Sequence, residues 1–331
     1  MNLDQERAGV AVAACAAAPS PGARIMGLGA YRPVTVVTNA EAARHANVDP
    51  QWIEQRVGIR ERRHAHGDET VVAMAAEAAD KALADAGVPA AGVDVVILAT
   101  CSMPTPMPNG AASVAARIGC EAAAAFDLNA ACSGFSHGLA VADALVRAGT
   151  ARRVLVVASE RMSDWVSAQD RATGPIFADG AAAALVVRAE QPEIFTVAWG
   201  SDGHQAGLIS VSAGTGRMEM AGRKVFRWTT TALLPAVESA CRRAGIAPSE
   251  LKAFVPHQAN LRIIDALSHA IDAPGMVTAT DVTVAGNTCA ASVPLAFHTL
   301  RQSGRIHRGD PVLLFGFGAG LTYAAQVVLS P

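Results

Sequence analysis

The sequence predicts an α/β protein made of two similar βαβ halves, packed as five layers in the order α/β/α/β/α. Three observations carry this expectation. Short β-branched runs at 93–100 and 154–157 alternate with Ala-rich helical patterns, which points to a parallel or mixed sheet covered by helices. The segment after Cys132 is apolar all round, with Gly134, Gly138, Ala140, Ala142 and Ala144 among Leu139, Val141, Leu145 and Val146. Such a helix belongs inside a core, packed on every side. The second half then repeats the first. Asn129-Ala130-Ala131-Cys132-Ser133 has a counterpart in Asn287-Thr288-Cys289-Ala290-Ala291-Ser292, and each precedes a small-residue helix, a Gly stop and a buried strand. Cys132 to Gly149 and Asn287 to Gly304 are both 17 residues apart. An internal duplication of this kind places strand ends from both halves near one site.

Taken in order, residues 1–22 mix acids with an Ala-rich run and read as a loosely ordered extension. They lack the basic start of a signal peptide. Residues 23–190 form the first half and 191–331 the second. An opening strand at 23–29 leads to a short helix with Asn39 as its N-cap. Trp52 and Arg56 are four apart and share a helix face. An indole beside a guanidinium suits an adenine ring and its phosphates; it also suits a solvent-facing ion-pair patch over a partly buried Trp. An Ala-rich helix at 74–86 is closed by Gly87 and Pro89. Residues 176–180 turn into a strand at 182–187, and 212–223 read as a polar, Gly-rich loop. One helix runs from Val225 to about Ala244, closed by Gly245.

With 51% hydrophobic and 17% charged residues, the 331-residue chain has material for a large core. A net charge of −2 gives no reason to expect nucleic-acid binding. No apolar run reaches membrane-spanning length without a charge, Gly or Pro. Six cysteines without CxxC pairs fit a reduced, cytoplasmic chain.

The chemistry centres on residues 126–135, which read as a buried strand end that turns sharply into a helix with Cys132 at the turn. Backbone N–H groups and the dipole at a helix N-terminus favour a thiolate. Alone, such a cysteine is usually an inert core side chain. Three further turns join it. Pro256-His257-Gln258-Ala259-Asn260 sets a histidine at a strand end, Gly286-Asn287-Thr288 sets an amide at a strand-to-helix turn, and Gly316-Phe317-Gly318-Ala319-Gly320 lets backbone approach a ligand closely.

Ala131-Cys132-Ser133-Gly134-Phe135, residues 256–263, Gly286-Asn287-Thr288 and residues 52–60 together resemble ketoacyl synthase III, the 3-oxoacyl-[acyl-carrier-protein] synthase III group of the thiolase superfamily. The resemblance spans 24–329 and implies a thiolase fold, a homodimer and an acyltransferase that condenses an acyl-coenzyme A starter with malonyl-[acyl-carrier-protein]. It implies a catalytic Cys132, His257 and Asn287, with backbone N–H groups of Cys132 and Ala319 as the oxyanion hole. It assigns Trp52, Arg56, Arg171 and Asn260 to coenzyme A, and Met107 and Phe177 to the acyl pocket, Met107 reaching across the dimer. Arg227 and Arg262 would face the acidic carrier protein. No metal or redox cofactor is implied, coenzyme A thioester being a substrate. Ala172, Cys289, Ala319 and Met107 depart from the residues usual in the family. Two other readings share the fold: an acyltransferase that does not condense, and a silent subunit that only binds carrier protein.

Overall fold

The computed structural model describes residues 21–331. The extension expected at 1–22 therefore lies outside the described residues, apart from its last two. The first half runs β1 (Gly22–Tyr31), β2 (Thr35–Thr38), α1 (Asn39–Ala46), α2 (Pro50–Val57), β3 (Glu61–His64), α3 (Val71–Ala86), β4 (Val95–Ala99), α4 (Gly110–Arg117), β5 (Ala124–Leu128), α5 (Gly134–Arg147), β6 (Arg153–Arg161) and β7 (Asp179–Ala189). The second runs β8 (Ala198–Gly200), β9 (Ile209–Val211), β10 (Met218–Met220), α6 (Gly222–Ala232), α7 (Leu234–Ala244), β11 (Ala253–Pro256), α8 (Leu261–Ile271), β12 (Val277–Thr278), α9 (Val282–Ala285), α10 (Ser292–Gln302), β13 (Pro311–Phe317) and β14 (Tyr323–Leu329).

Two five-stranded mixed sheets follow, ordered β1-β7-β6-β4-β5 and β8-β14-β13-β11-β12. The two are the same arrangement. In each, the first three strands pair antiparallel and the last three parallel. Helices α5 and α10 lie between the sheets, α3 and α4 cover the first, and α7 and α8 cover the second. This is the five-layer thiolase arrangement. Strand β4 is buried along its whole length, as its apolar run requires.

The close packing of α3 on β1 has a local cause. Met74, Ala75, Ala78, Ala79 and Ala82 line the buried face of α3. Opposite them, a Cβ on Gly29 would fall inside the backbone of Ala78 and Ala82. A glycine-bearing strand and an alanine-faced helix thus approach more closely than larger residues allow.

Several local expectations are corrected. Thr38, not Asn39, caps α1, its hydroxyl accepting the Glu41 N–H at 3.3 Å. Asn39 instead donates to the Ile59 carbonyl at 2.7 Å and accepts from buried Arg62 at 2.8 Å. The single helix expected from Val225 to Ala244 is two, α6 and α7, parted at Leu233 because Pro235 fits only a first helical turn. The loop expected at 212–223 contains β10, which pairs with β9 as a hairpin. Strand β5 is an edge with a half-exposed face, Phe126 being 38% exposed, rather than a buried strand.

The duplication is real, but its register differs from the equal spacing. The equivalent 3₁₀ turns are Ala131–Ser133 and Cys289–Ala291. Each opens on a left-handed residue, Ala131 (φ 45°) and Cys289 (φ 48°). In each, an Asn two residues upstream accepts the first turn N–H: Asn129 from Ala131 at 3.1 Å, Asn287 from Cys289 at 2.9 Å. Asn287 therefore corresponds to Asn129, and Cys132 to Ala290. The equal spacing is a coincidence, because α5 has 14 residues and α10 has 11.

Gly29→Ala should destabilise the fold by about 1–3 kcal/mol, the usual cost of overpacking. Thermal unfolding checks it; an unchanged midpoint would contradict the close approach described here.

Candidate active site

Cys132 sits in the 3₁₀ turn that feeds α5, 7% exposed, at the base of an apolar cavity. The turn is held from the other half of the molecule. Ser133 Oγ donates to the Ala130 carbonyl at 2.7 Å and pairs with Thr322 Oγ1 at 2.8 Å. Thr322 Oγ1 is 3.0 Å from the Ala319 carbonyl. The strand end at Gly316–Gly318 presses on the turn: a Cβ on Gly318 would lie 2.6 Å from Cys132 Cβ and 2.9 Å from its Sγ. Gly318 has ordinary extended backbone (φ 174°), so its lack of a side chain is a demand of space. This approach sets the Ala319 N–H on Cys132 Sγ.

His257 follows β11 directly. Its N–H donates to the Phe315 carbonyl at 2.7 Å, and the ring packs edge-on against Phe317 at 5.4 Å. Nδ1 pairs with Ser292 Oγ at 2.7 Å. Ser292 Oγ also accepts the Gln258 N–H at 3.3 Å. With the Ser292 hydroxyl donating to Nδ1, the imidazole hydrogen sits on Nε2. Gln258 is itself fixed, donating to the Pro256 and Ala279 carbonyls and accepting from Val282 N–H. Neither Ser292 nor Gln258 stands out in the sequence, since their roles depend on contacts across the duplicated half.

Asn287 is 4% exposed and lies beside Phe177 as a parallel bridge, with its backbone N–H on the Ile176 carbonyl and its own carbonyl on Ala178 N–H. Its Oδ1 is committed to Cys289 N–H at 2.9 Å, which directs the amide NH₂ to the cavity. Gly286 (φ 70°) precedes it where a Cβ would strike Arg62 and Ala178. Cys132, His257, Asn287, Ala319 and Phe177 all line one cavity. Its apolar wall adds Met162, Trp165, Met218, Val225 and Trp228. Met218 and Met220 belong to the β9–β10 hairpin, within the segment whose polar, Gly-rich pattern predicts a loop.

The electrostatics favour a thiolate at Cys132. A hydrogen bond from Cys289 is the foremost cause holding the thiol well below its ordinary value; His257 and the Ala319 N–H add to it, against burial. Glu160, two side chains away, is pushed up to about 7 by burial despite accepting from Ser102 and Cys101 N–H. Burial alone pushes Cys241 up to about 11, and burial, aided by Asp80, does the same to Cys120.

The outer residues divide. Trp52 is half-buried on α2, and the Arg171 guanidinium, rather than Arg56, stacks on it at 5.1 Å from the ring centre. Arg56 is exposed on the same helix. Asn260 caps α8, accepting the Arg262 N–H at 2.9 Å. Arg227 is exposed on α6, and Arg262 on α8 stacks at 5.9 Å over Phe226. Helices α2 and α6 each pack on α8, so Arg56, Arg227 and Arg262 stand on neighbouring helices, and none of them lines the cavity. Met107 is 81% exposed and does not line the cavity of its own chain.

Residues 126–203 match the family model described as 3-oxoacyl-[acyl-carrier-protein (ACP)] synthase III, and residues 241–329 match the model of its C-terminal part. A β-ketoacyl-[acyl-carrier-protein] synthase III from Streptomyces coelicolor is 46% identical over 94% of this chain and 99% of its own length. The chain belongs to the ketoacyl synthase III family. Among solved structures, the priming β-ketosynthase from the R1128 polyketide biosynthetic pathway is 40% identical, with a TM-score of 0.92 over 95% of this chain and 98% of its own. The synthase III from Aquifex aeolicus is 35% identical, with a TM-score of 0.89 over 93% of this chain and all of its own. No helix among the described residues is long and apolar enough to cross a membrane.

Iodoacetamide should label Cys132 at neutral pH with a rate already near its plateau, while Cys120 and Cys241 stay unmodified. Because the folded thiol titrates low, the rate should fall only as pH drops through that depressed value. His257→Ala removes one of its causes and should move the profile to higher pH. A Cys132 profile centred near the ordinary thiol value of about 8.5 would contradict the electrostatics.

Proposed function

We propose that this chain is a condensing acyltransferase that loads an acyl group from coenzyme A onto Cys132 and joins it to a malonyl-[acyl-carrier-protein]. The product is a 3-oxoacyl-[acyl-carrier-protein], which starts a fatty-acid or polyketide chain. One observation carries the reading: a thiolate-favouring Cys132, the His257 imidazole, the Asn287 amide and the Ala319 N–H converge on one apolar cavity.

Each residue then has a task. The Cys132 thiolate attacks the acyl-coenzyme A thioester, and the N–H groups of Cys132 and Ala319 receive the oxyanion. One such donor is typically worth about 2.7–4 kcal/mol. Coenzyme A leaves and an acyl-enzyme remains. The malonyl thioester binds next. Nε2–H of His257 and the Asn287 NH₂ donate to its carbonyl oxygen as decarboxylation builds enolate charge there. The apolar walls strengthen both hydrogen bonds. The enolate carbon attacks the acyl-enzyme carbonyl, the C–C bond forms, the C–S bond to Cys132 breaks and the thiolate is restored; acyl transfer between thioesters is nearly isoenergetic, so loss of carbon dioxide supplies the drive. The reading needs no metal or redox cofactor.

Trp52 and Arg171 take the adenine ring by stacking, with Arg56 and Asn260 beside the phosphates and pantetheine. Arg227 and Arg262 receive the acidic carrier protein. Phe177 bounds the acyl chain. Met107 reaches a pocket only in a homodimer, for which the exposed β5 edge, Phe126 and Met107 supply a ready surface. The cysteine pattern, with no CxxC pair and with five free thiols among the described residues, supports a cytoplasmic enzyme.

Cys132→Ala should abolish acyl-enzyme formation yet retain malonyl decarboxylation, whereas His257→Ala should do the reverse. Intact mass and carbon dioxide release measure the two. Full condensation by Cys132→Ala would sink the assignment. Charge reversal at Arg227 or Arg262 should raise KM for the malonyl carrier protein and leave KM for a malonyl pantetheine unchanged; equal effects on both would place these residues elsewhere in the mechanism.

A further inference from the structure

Behind Cys132 the cavity floor holds a chain of sulfur atoms that the condensation does not use. Cys132 Sγ lies 3.4 Å from Cys289 Sγ, and Cys289 Sγ lies 3.4 Å from Cys101 Sγ. Cys101 Sγ in turn lies 3.9 Å from Met162 Sδ. All three cysteines are free thiols and all line the cavity, so a small solute that reaches Cys132 also reaches its neighbours. A thiolate in an accessible pocket is the form that peroxides oxidise, and an adjacent thiol decides whether that oxidation stays reversible.

We propose that Cys289 is a resolving thiol, which captures oxidised Cys132 as a Cys132–Cys289 disulfide and so shields the nucleophile from irreversible oxidation by hydrogen peroxide. In the first step Cys132 Sγ attacks the peroxide. An S–O bond forms, the O–O bond breaks, and hydroxide leaves to take up a proton as water; Cys132 is oxidised to the sulfenic acid and the peroxide reduced. In the second, Cys289 Sγ attacks Cys132 Sγ. An S–S bond forms, the S–O bond breaks, and the leaving hydroxide departs with the Cys289 proton as a second water. A dithiol reverses the state by two successive exchanges. In the resting enzyme hydrogen bonds with Cys101, then with Cys132, and burial hold the Cys289 thiol protonated, so it does not compete as a nucleophile for acyl groups. The neutral sulfenic acid removes the Cys132 thiolate from among those causes at the moment when Cys289 must react. Cys289 is well placed to wait there, because its backbone N–H is pinned to Asn287 Oδ1 at 2.9 Å.

This inference rests on the Cys132 thiolate and its neighbour, not on the acyl chemistry, and its readout is mass rather than turnover. The full-length protein is titrated with hydrogen peroxide and mapped without reduction. The expected result is the loss of two hydrogen masses, a linked pair of peptides carrying Cys132 and Cys289, and full reversal by dithiothreitol. In Cys289→Ser, Cys132 should instead gain two or three oxygens, and the reversible fraction should be lost. Cys101→Ser should keep the linked pair. Direct passage of Cys132 to its sulfinic acid in the unsubstituted protein would overturn the proposal. So would reversibility that disappears with Cys101→Ser and survives Cys289→Ser.

Discussion

The structure depends on one close approach. The end of β13 meets the turn before α5 with no room for a side chain, and Gly318 is where the two halves touch at Cys132. That contact lets a backbone N–H from the second half reach a sulfur in the first. Everything else at the site is arranged around it. The Ser133–Thr322 pair fixes the spacing, and the β11 and α10 ends bring His257 and Asn287 to the same point. A duplicated fold supplies such a meeting place naturally. Equivalent strand ends from two pseudo-symmetric sheets converge where their central helices begin, and each half contributes different donors.

The energetic logic is preorganisation in a dry place. A thiolate in an apolar cavity is costly unless hydrogen bonds hold it. Here they come from Cys289, His257 and the Ala319 N–H. In the proposed reaction the same donors, or their neighbours, face charge that moves from sulfur to a thioester oxygen. Donors locked by their own second partners, as His257 is by Ser292 and Asn287 by Cys289, need little reorganisation at that moment. Burial pushes Glu160 up to about 7, so at neutral pH only part of a full negative charge stands near the nucleophile.

Much of this was legible in the sequence, for identifiable reasons. The all-round apolar pattern after Cys132 marked α5 as the central helix, and the buried run at 93–100 marked β4. Turn residues marked where His257, Asn287 and Ala319 would stand. The rest needed three dimensions. The duplication was visible but its register was not, because equal spacing to a glycine hid a three-residue difference between α5 and α10. The break between α6 and α7 was in principle readable from Pro235, which the helical periodicity of the flanking residues overrode. Trp52 pairs with Arg171, 119 positions away in the chain, where the sequence offered the neighbouring Arg56. Ser292 and Gln258 matter through contacts within the second half, Ser292 meeting His257 from 35 positions away, and the sulfur row joins Cys101 and Cys132 of the first half to Cys289 of the second, so neither arrangement is visible in a local stretch of sequence.

The most direct test of the central claim is a single turnover of acylated enzyme. The protein is loaded with an acyl-coenzyme A, freed of excess, and mixed with malonyl carrier protein while intact mass and carbon dioxide are followed together. The account predicts that the acyl mass leaves Cys132 as one carbon dioxide is released per acyl group, with a 3-oxoacyl carrier as product. An acyl mass that persists through the chase, or leaves without carbon dioxide, would contradict it and favour an acyltransferase that does not condense.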